Sequence, residues 1–144
     1  MTISFTIPGT SKTTAQHKGV MVRGGRVMFF KKKEIVAEEN RLISLCHSYR
    51  PVSPIAGAIY AKIVFVFPFT KAEEKKYKCN SATLLPTFTA PKTTRPDVDN
   101  CAKTIMNVLT KQGFWVDDSQ VTTLILCKRS GWLPAIHIEI SETS

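Results

Sequence analysis

Negative charge is scarce in this chain: 11 Asp and Glu stand against 20 Lys and Arg in 144 residues, a formal net charge of +9 with a sequence pI near 9.6. A balance that basic attracts polyanions, and a pI in this range flags nucleic-acid binding. Zinc-site spacing is missing as well. Cys46, Cys79, Cys101 and Cys127 form no C-x-x-C pair, and His17, His47 and His137 are not spaced to complete a tetrahedral site. No apolar run approaches the ~18 residues that a bilayer demands. Met1 to Ile7 lacks a basic segment followed by an apolar one, so neither a membrane span nor a secretory leader is expected. Cys101 and Cys127 sit inside apolar periodic segments, where a thiol serves as a small hydrophobe. A reducing, cytoplasmic setting is therefore expected, with no organic cofactor.

The length suits one domain, residues 1–144, around one core. Ile3, Phe5 and Ile7 alternate with polar neighbours, which predicts an opening strand. Val20–Val22 and Val27–Phe30 flank Gly24-Gly25 and predict a small basic hairpin. Ile35, Val36, Leu42, Ile43 and Cys46 recur at helical spacing between Lys32 and Ser48, and Arg50-Pro51 closes that helix. The β-branched and aromatic run Ile55–Phe67, bounded by prolines, predicts a long strand. Residues 69–94 then form a long irregular stretch rich in Lys and aromatics. It reads as a loop or arm contacting nucleic acid, with Lys71, Lys75, Lys76 and Lys92, and the adjoining Arg95, as candidate DNA contacts.

Val98, Cys101, Ala102, Ile105, Val108 and Leu109 share one helical face, and Lys111-Gln112-Gly113 ends it, predicting a helix from about Asp97 to Lys111. Val121–Cys127 and Ala135–Ile140 read as strands joined by Arg129–Trp132. The fold class is α+β, a mixed β-sheet with two main helices.

Four of the eleven acids crowd into two short stretches, Arg95-Pro96-Asp97-Val98-Asp99-Asn100 and Gly113-Phe114-Trp115-Val116-Asp117-Asp118-Ser119-Gln120. Carboxylates clustered within a basic chain suit a hard cation facing phosphate. At the start of a helix they also suit capping, since Asp97 can accept from a free backbone N–H. Asp97 and Asp99 diverge on a regular helix and converge when its first turn is irregular. A ~14-residue helix spans about 21 Å, so Asp118 approaches those acids only if the chain runs back alongside the helix. Lys103, one turn beyond Asp99, can pair with it or reach a phosphate.

The stretch from Asp97-Val98-Asp99-Asn100 through Lys103, and on to Gly113-Phe114-Trp115-Val116-Asp117-Asp118-Ser119-Gln120, resembles the core of the RusA-type Holliday junction resolvases. Their signature joins D-x-D-N, a Lys four residues later, and G-h-W-x-D-D-x-Q. The resemblance implies a dimeric, Mg²⁺-dependent endonuclease, with Mn²⁺ able to substitute, that nicks opposed strands of a four-way DNA junction during recombination and repair. It also implies an intertwined or two-fold homodimer and a prophage-type origin. By that likeness Asp97, Asp99 and Asp118 hold the metal, Lys103 is the catalytic cation, and Asp117 supports them. The connection before D-x-D-N is longer here than in minimal members. Two cuts at symmetry-related positions favour a two-fold dimer, with Phe29-Phe30, Phe65–Phe69 and Trp132-Leu133 as candidate apolar interface material. Two other classes are a catalytically silent junction-binding module and a metal-dependent nucleotide phosphohydrolase; the broad positive charge disfavours the second.

Overall fold

The computed structural model describes residues 1–10, 18–31, 33–77 and 84–143, with backbone only for 18–23 and 27–31. His17, Lys78, Cys79 and the side chains of Phe29 and Phe30 lie outside the described residues.

The chain runs β1 (Thr2–Pro8), β2 (Lys18–Arg23), β3 (Arg26–Lys31), α1 (Lys33–Cys46), β4 (Ala58–Pro68), α2 (Lys71–Tyr77), β5 (Thr89–Pro91), α3 (Val98–Lys111), β6 (Val121–Gly131) and β7 (Ala135–Thr143). Five strands form a mixed sheet in the order β1-β7-β4-β6-β5, while β2 and β3 pair as a separate hairpin. Gly24 and Gly25 turn that hairpin with φ of 58° and 75°, the positive values that a two-residue loop of this type needs at both positions. Within the sheet only β4 and β6 are parallel, and the crossover between them carries α3. One core joins alternate residues of β4 (Ile59, Ala61, Ile63, Phe65) and β7 (Ile136, Ile138, Ile140) to Leu42 of α1 and Ile105, Val108 and Leu109 of α3.

The α+β reading and its two 14-residue helices are borne out. Residues 69–94, however, are not one irregular loop. A third helix, α2, is set by a reciprocal cap: Glu73 N–H donates to Thr70 Oγ1 at 3.2 Å, and Thr70 N–H donates to Glu73 Oε1 at 3.1 Å. The ring of Phe69 then meets Tyr77, Phe88 and Trp132, and β5 adds a short strand to the sheet. β4 begins at Ala58 rather than Ile55, because the carbonyls of Ile55 and Gly57 are taken by the Gln120 side chain at 2.8 and 3.0 Å. β6 continues through Arg129, where a turn was expected, to Gly131. A Cβ on Gly131 would stand 2.9 Å from Val66 Cγ1 and 3.1 Å from Phe88 O, so glycine alone lets the strands close. Phe65, Phe67 and Phe69 are buried inside this chain and are unavailable to an interface, whereas Leu133 is exposed.

Candidate active site

Asp97 is the residue before the first turn of α3, with φ −68° and ψ 144°, yet its side chain makes no capping hydrogen bond. Asp99 follows in the first turn, and both are exposed. Neither carboxylate makes an ion pair or side-chain hydrogen bond among the described residues. Capping therefore does not account for these acids, and their oxygens remain available to a ligand. Lys103 forms no ion pair with Asp99; its ammonium reaches Asn100 Oδ1 at 3.4 Å.

The second acidic stretch is anchored by its aromatics. Phe114 and Trp115 are buried, and Trp115 Nε1 donates to Thr110 Oγ1 at 2.7 Å. Ile55 N–H bonds Phe114 O at 3.0 Å, which ties the stretch to the lead-in of β4. Asp117 then caps a short 3₁₀ turn, Asp118–Gln120, accepting from Ser119 N–H at 3.0 Å. Gln120 Oε1 accepts from the N–H groups of Val116 and Asp117 at 2.8 and 3.0 Å. Thus Asp117 and Gln120 build the turn, and Asp118 is the member of the pair that lines a groove. The Ser119 backbone N–H, followed by the neighbouring Asp118 carboxyl and the Ser119 hydroxyl, holds the Asp117 carboxyl below the usual carboxylate range.

That groove, about 590 Å³, lies between α1, α3 and β6, and its lining includes Asp99, Lys103, Asn107, Asp118 and Glu39. β6 runs back antiparallel to α3. Its start follows the Asp118 turn near the C-terminal end of the helix, and its Lys128 ammonium donates to the carbonyls of Thr94 and Pro96, just before the N-terminal end. Asp99 and Asp118 consequently belong to opposite ends of one groove, along a helix of 14 residues, about 21 Å. Among the described residues, no three His, Cys, Asp or Glu side chains gather closely enough to hold a metal. The donor chemistry nonetheless fits a hard divalent cation, since each end presents exposed carboxylate oxygens.

The expected DNA contacts fall at the Asp97–Asp99 end. The C-terminal ends of parallel β4 and β6 meet there in the register Pro68 to Gly131, and α2 follows directly, exposing Lys71, Lys75 and Lys76. Arg95 is exposed, whereas Lys92 is half-buried, donating to Thr94 Oγ1 at 2.9 Å and lying 5.6 Å from the Phe67 ring centroid. Sequence reasoning named Gln120 within the motif without a structural role and missed Lys128. The Q of the D-D-x-Q run, three residues beyond its first Asp, was the only local signal for either.

Comparison with known proteins bears on the family. The family model described as "Endodeoxyribonuclease RusA" matches residues 8–141. A protein of Bacillus subtilis (strain 168), "Uncharacterized protein YqaN", is 27% identical over 146 residues, covering 99% of this chain and 97% of its own. The "Crossover junction endodeoxyribonuclease rusA" of Lactococcus phage r1t is 25% identical over 130 residues, covering 90% of this chain and 89% of its own.

Proposed function

Since the chain belongs to the RusA endodeoxyribonuclease family, and is thus a nuclease acting on phosphodiester bonds, we propose that it resolves four-way DNA junctions by paired, Mg²⁺-dependent nicks in recombination and repair. The observation that carries this is the pair of unpartnered, exposed acids at the start of α3, beside a basic surface. Asp97, Asp99 and Asp118 would hold the ion. A divalent cation there supplies an activated water and neutralises charge building on the phosphate oxygens, and Mn²⁺ can replace Mg²⁺. Lys103 places a compact positive charge on the same groove, where it stabilises the leaving or attacking oxygen. Lys71, Lys75, Lys76, Lys92 and Arg95 meet the DNA backbone. The work is cytoplasmic.

A homodimer completes the reading. On its outer side β6 is paired by β5 at Arg129–Gly131 and bonded by Lys92 N–H at Lys128 O, so among the described residues Val121 to Cys127 form an open edge. That edge reads V-T-T-L-I-L-C, with Leu124 and Ile125 exposed, Leu124 lining the groove, and no charge before Lys128 to protect it. Antiparallel pairing of two such edges about a two-fold axis exchanges the ends of the groove. One copy's Asp118 then approaches the other's Asp97 and Asp99, giving two complete sites for two cuts.

The test incubates purified protein and Mg²⁺ with a labelled four-way junction, a matched duplex and a nucleotide panel, and adds sedimentation at micromolar concentration. Paired nicks in the junction alone, abolished by EDTA, and a mass near twice 16.1 kDa are expected. Binding unaffected by EDTA with no product would mean a silent binding module. Hydrolysis of the nucleotides would mean a phosphohydrolase.

A further inference from the structure

Two residues, Arg95 and Pro96, separate the 69–94 segment from the first acid, and one cation holds this join. Lys128, half-buried near the end of β6, donates from Nζ to Thr94 O at 2.6 Å and to Pro96 O at 2.7 Å. The main chain adds a third tie at the same point, from Lys92 N–H to Lys128 O at 3.2 Å. An ammonium has three donors, and two of them are spent on these carbonyls. These bonds clamp both sides of Arg95 and fix the path by which the chain enters α3, so they set where Asp97 stands and how the first turn presents Asp99.

Among the described residues Lys128 pairs with neither acid; the carboxylates with ion pairs there are Glu38 and Glu39. A side chain whose donors face backbone carbonyls is poorly disposed to bind DNA phosphate.

We propose that Lys128 is a positioning residue of the metal site: its two carbonyl bonds fix the backbone that presents Asp97 and Asp99 while leaving their oxygens to the ion. This rests on the metal reading given above. It assigns Lys128 a role distinct from that of Lys103, which lines the groove and reaches the Asn100 side chain.

The experiment measures Mn²⁺ binding to the protein alone, by electron paramagnetic resonance of the free ion. It is run on wild type, Lys128→Met and Lys128→Arg, beside single-turnover junction cleavage against Mg²⁺ concentration and junction binding in EDTA. Lys128→Met should weaken Mn²⁺ binding about 10-fold, the scale on which groups that orient metal ligands act. The Mg²⁺ needed for half-maximal cleavage should rise in step, with junction binding in EDTA unchanged. Lys128→Arg should recover part of the affinity, since a guanidinium keeps the charge but spaces its donors differently. Lys128→Gln, which keeps an amide donor, carries the same expectation should the methionine variant not fold. Unchanged Mn²⁺ affinity in the neutral variants overturns the proposal, as does a loss of junction binding in EDTA that matches the loss of rate, which would make Lys128 a phosphate contact. A wild type that binds no Mn²⁺ overturns the metal reading itself, and so is told apart from a failure of Lys128 alone.

Discussion

Glu39 and Asp99 line the same groove from neighbouring helices, and their carboxylates are used in opposite ways. Glu39 is buried and paired with Lys111 Nζ at 2.8 Å, which pins α1 to α3. Its neighbour Glu38 is equally buried and is held by Arg41 through two bonds of 3.1 and 2.8 Å, while Arg41 also donates to Thr10 O. Among the described residues Asp99 and Asp97 have no such partner, and both are exposed. Among the described residues Glu38 and Glu39 are the acids with ion pairs, and they are also the buried ones. A buried carboxylate needs its partner because desolvation otherwise forces it to take a proton, whereas an exposed one can wait for an ion. The difference separates acids that assemble the helix pair from acids left open to a ligand.

The comparison is broken most directly by exchanging the two fates. Asp97→Asn and Asp99→Asn should each lower junction cleavage by roughly 100-fold or more, the scale of losing one electrostatic element of a hydrolytic site. Junction binding should be retained or tightened, because a repulsion toward phosphate disappears; wild-type cleavage by both would remove them from the site. Lys103→Ala should cost about 100-fold in rate with a smaller loss of binding, since a positioned cation acts mainly on transition-state charge. Parallel losses of rate and binding would make it a simple phosphate contact. Asp118→Asn should reduce the rate more than Asp117→Asn does, because asparagine can still accept the Ser119 N–H bond that Asp117 uses; the reverse ranking would exchange their roles.

Lys111→Met belongs to the other class. It removes the Lys111 ammonium from the buried Glu39 carboxylate and should lower stability by on the order of 2 kcal/mol, discounted because the Lys111 side chain is itself half in water. Cleavage per folded molecule should persist, as urea titration beside the junction assay would show. Smallest of all is the effect at the thiols. Burial pushes Cys46 up to about 12, so its native state keeps a proton that the unfolded chain loses near pH 9. The stability due to that difference is present below about pH 9 and declines as pH rises toward the folded value. Cys46 should therefore resist alkylation at pH 8 in native protein and react in urea, whereas rapid native labelling would contradict its burial.

Much of the fold was legible because its signals are local. The apolar face of α3, the Gly113 stop with φ of 80°, the Gly-Gly turn of the hairpin and the alternation in β1 all repeat within a few residues. The short helix α2 was missed although Thr70 and Glu73 spell its cap, since Lys and aromatic residues drew attention to charge rather than spacing. Other features had no local signal. Lys128 reaches Thr94 across 34 residues, and Gln120 reaches Ile55 across 65, and neither distance leaves a periodic trace. The acids themselves were legible as a motif. Their placement at two ends of one groove was not, because it depends on β6 returning antiparallel to α3.

The central claim is that the unpartnered acids, and not the paired ones, receive the metal ion. Replacing Mg²⁺ with Fe²⁺ and generating hydroxyl radicals from peroxide and ascorbate cuts the polypeptide wherever the ion sits. Scission should fall around Asp97–Asp99 and Asp118, and should be lost at both places in Asp99→Asn. Cuts around Glu38 and Glu39, or none that excess Mg²⁺ suppresses, would contradict it.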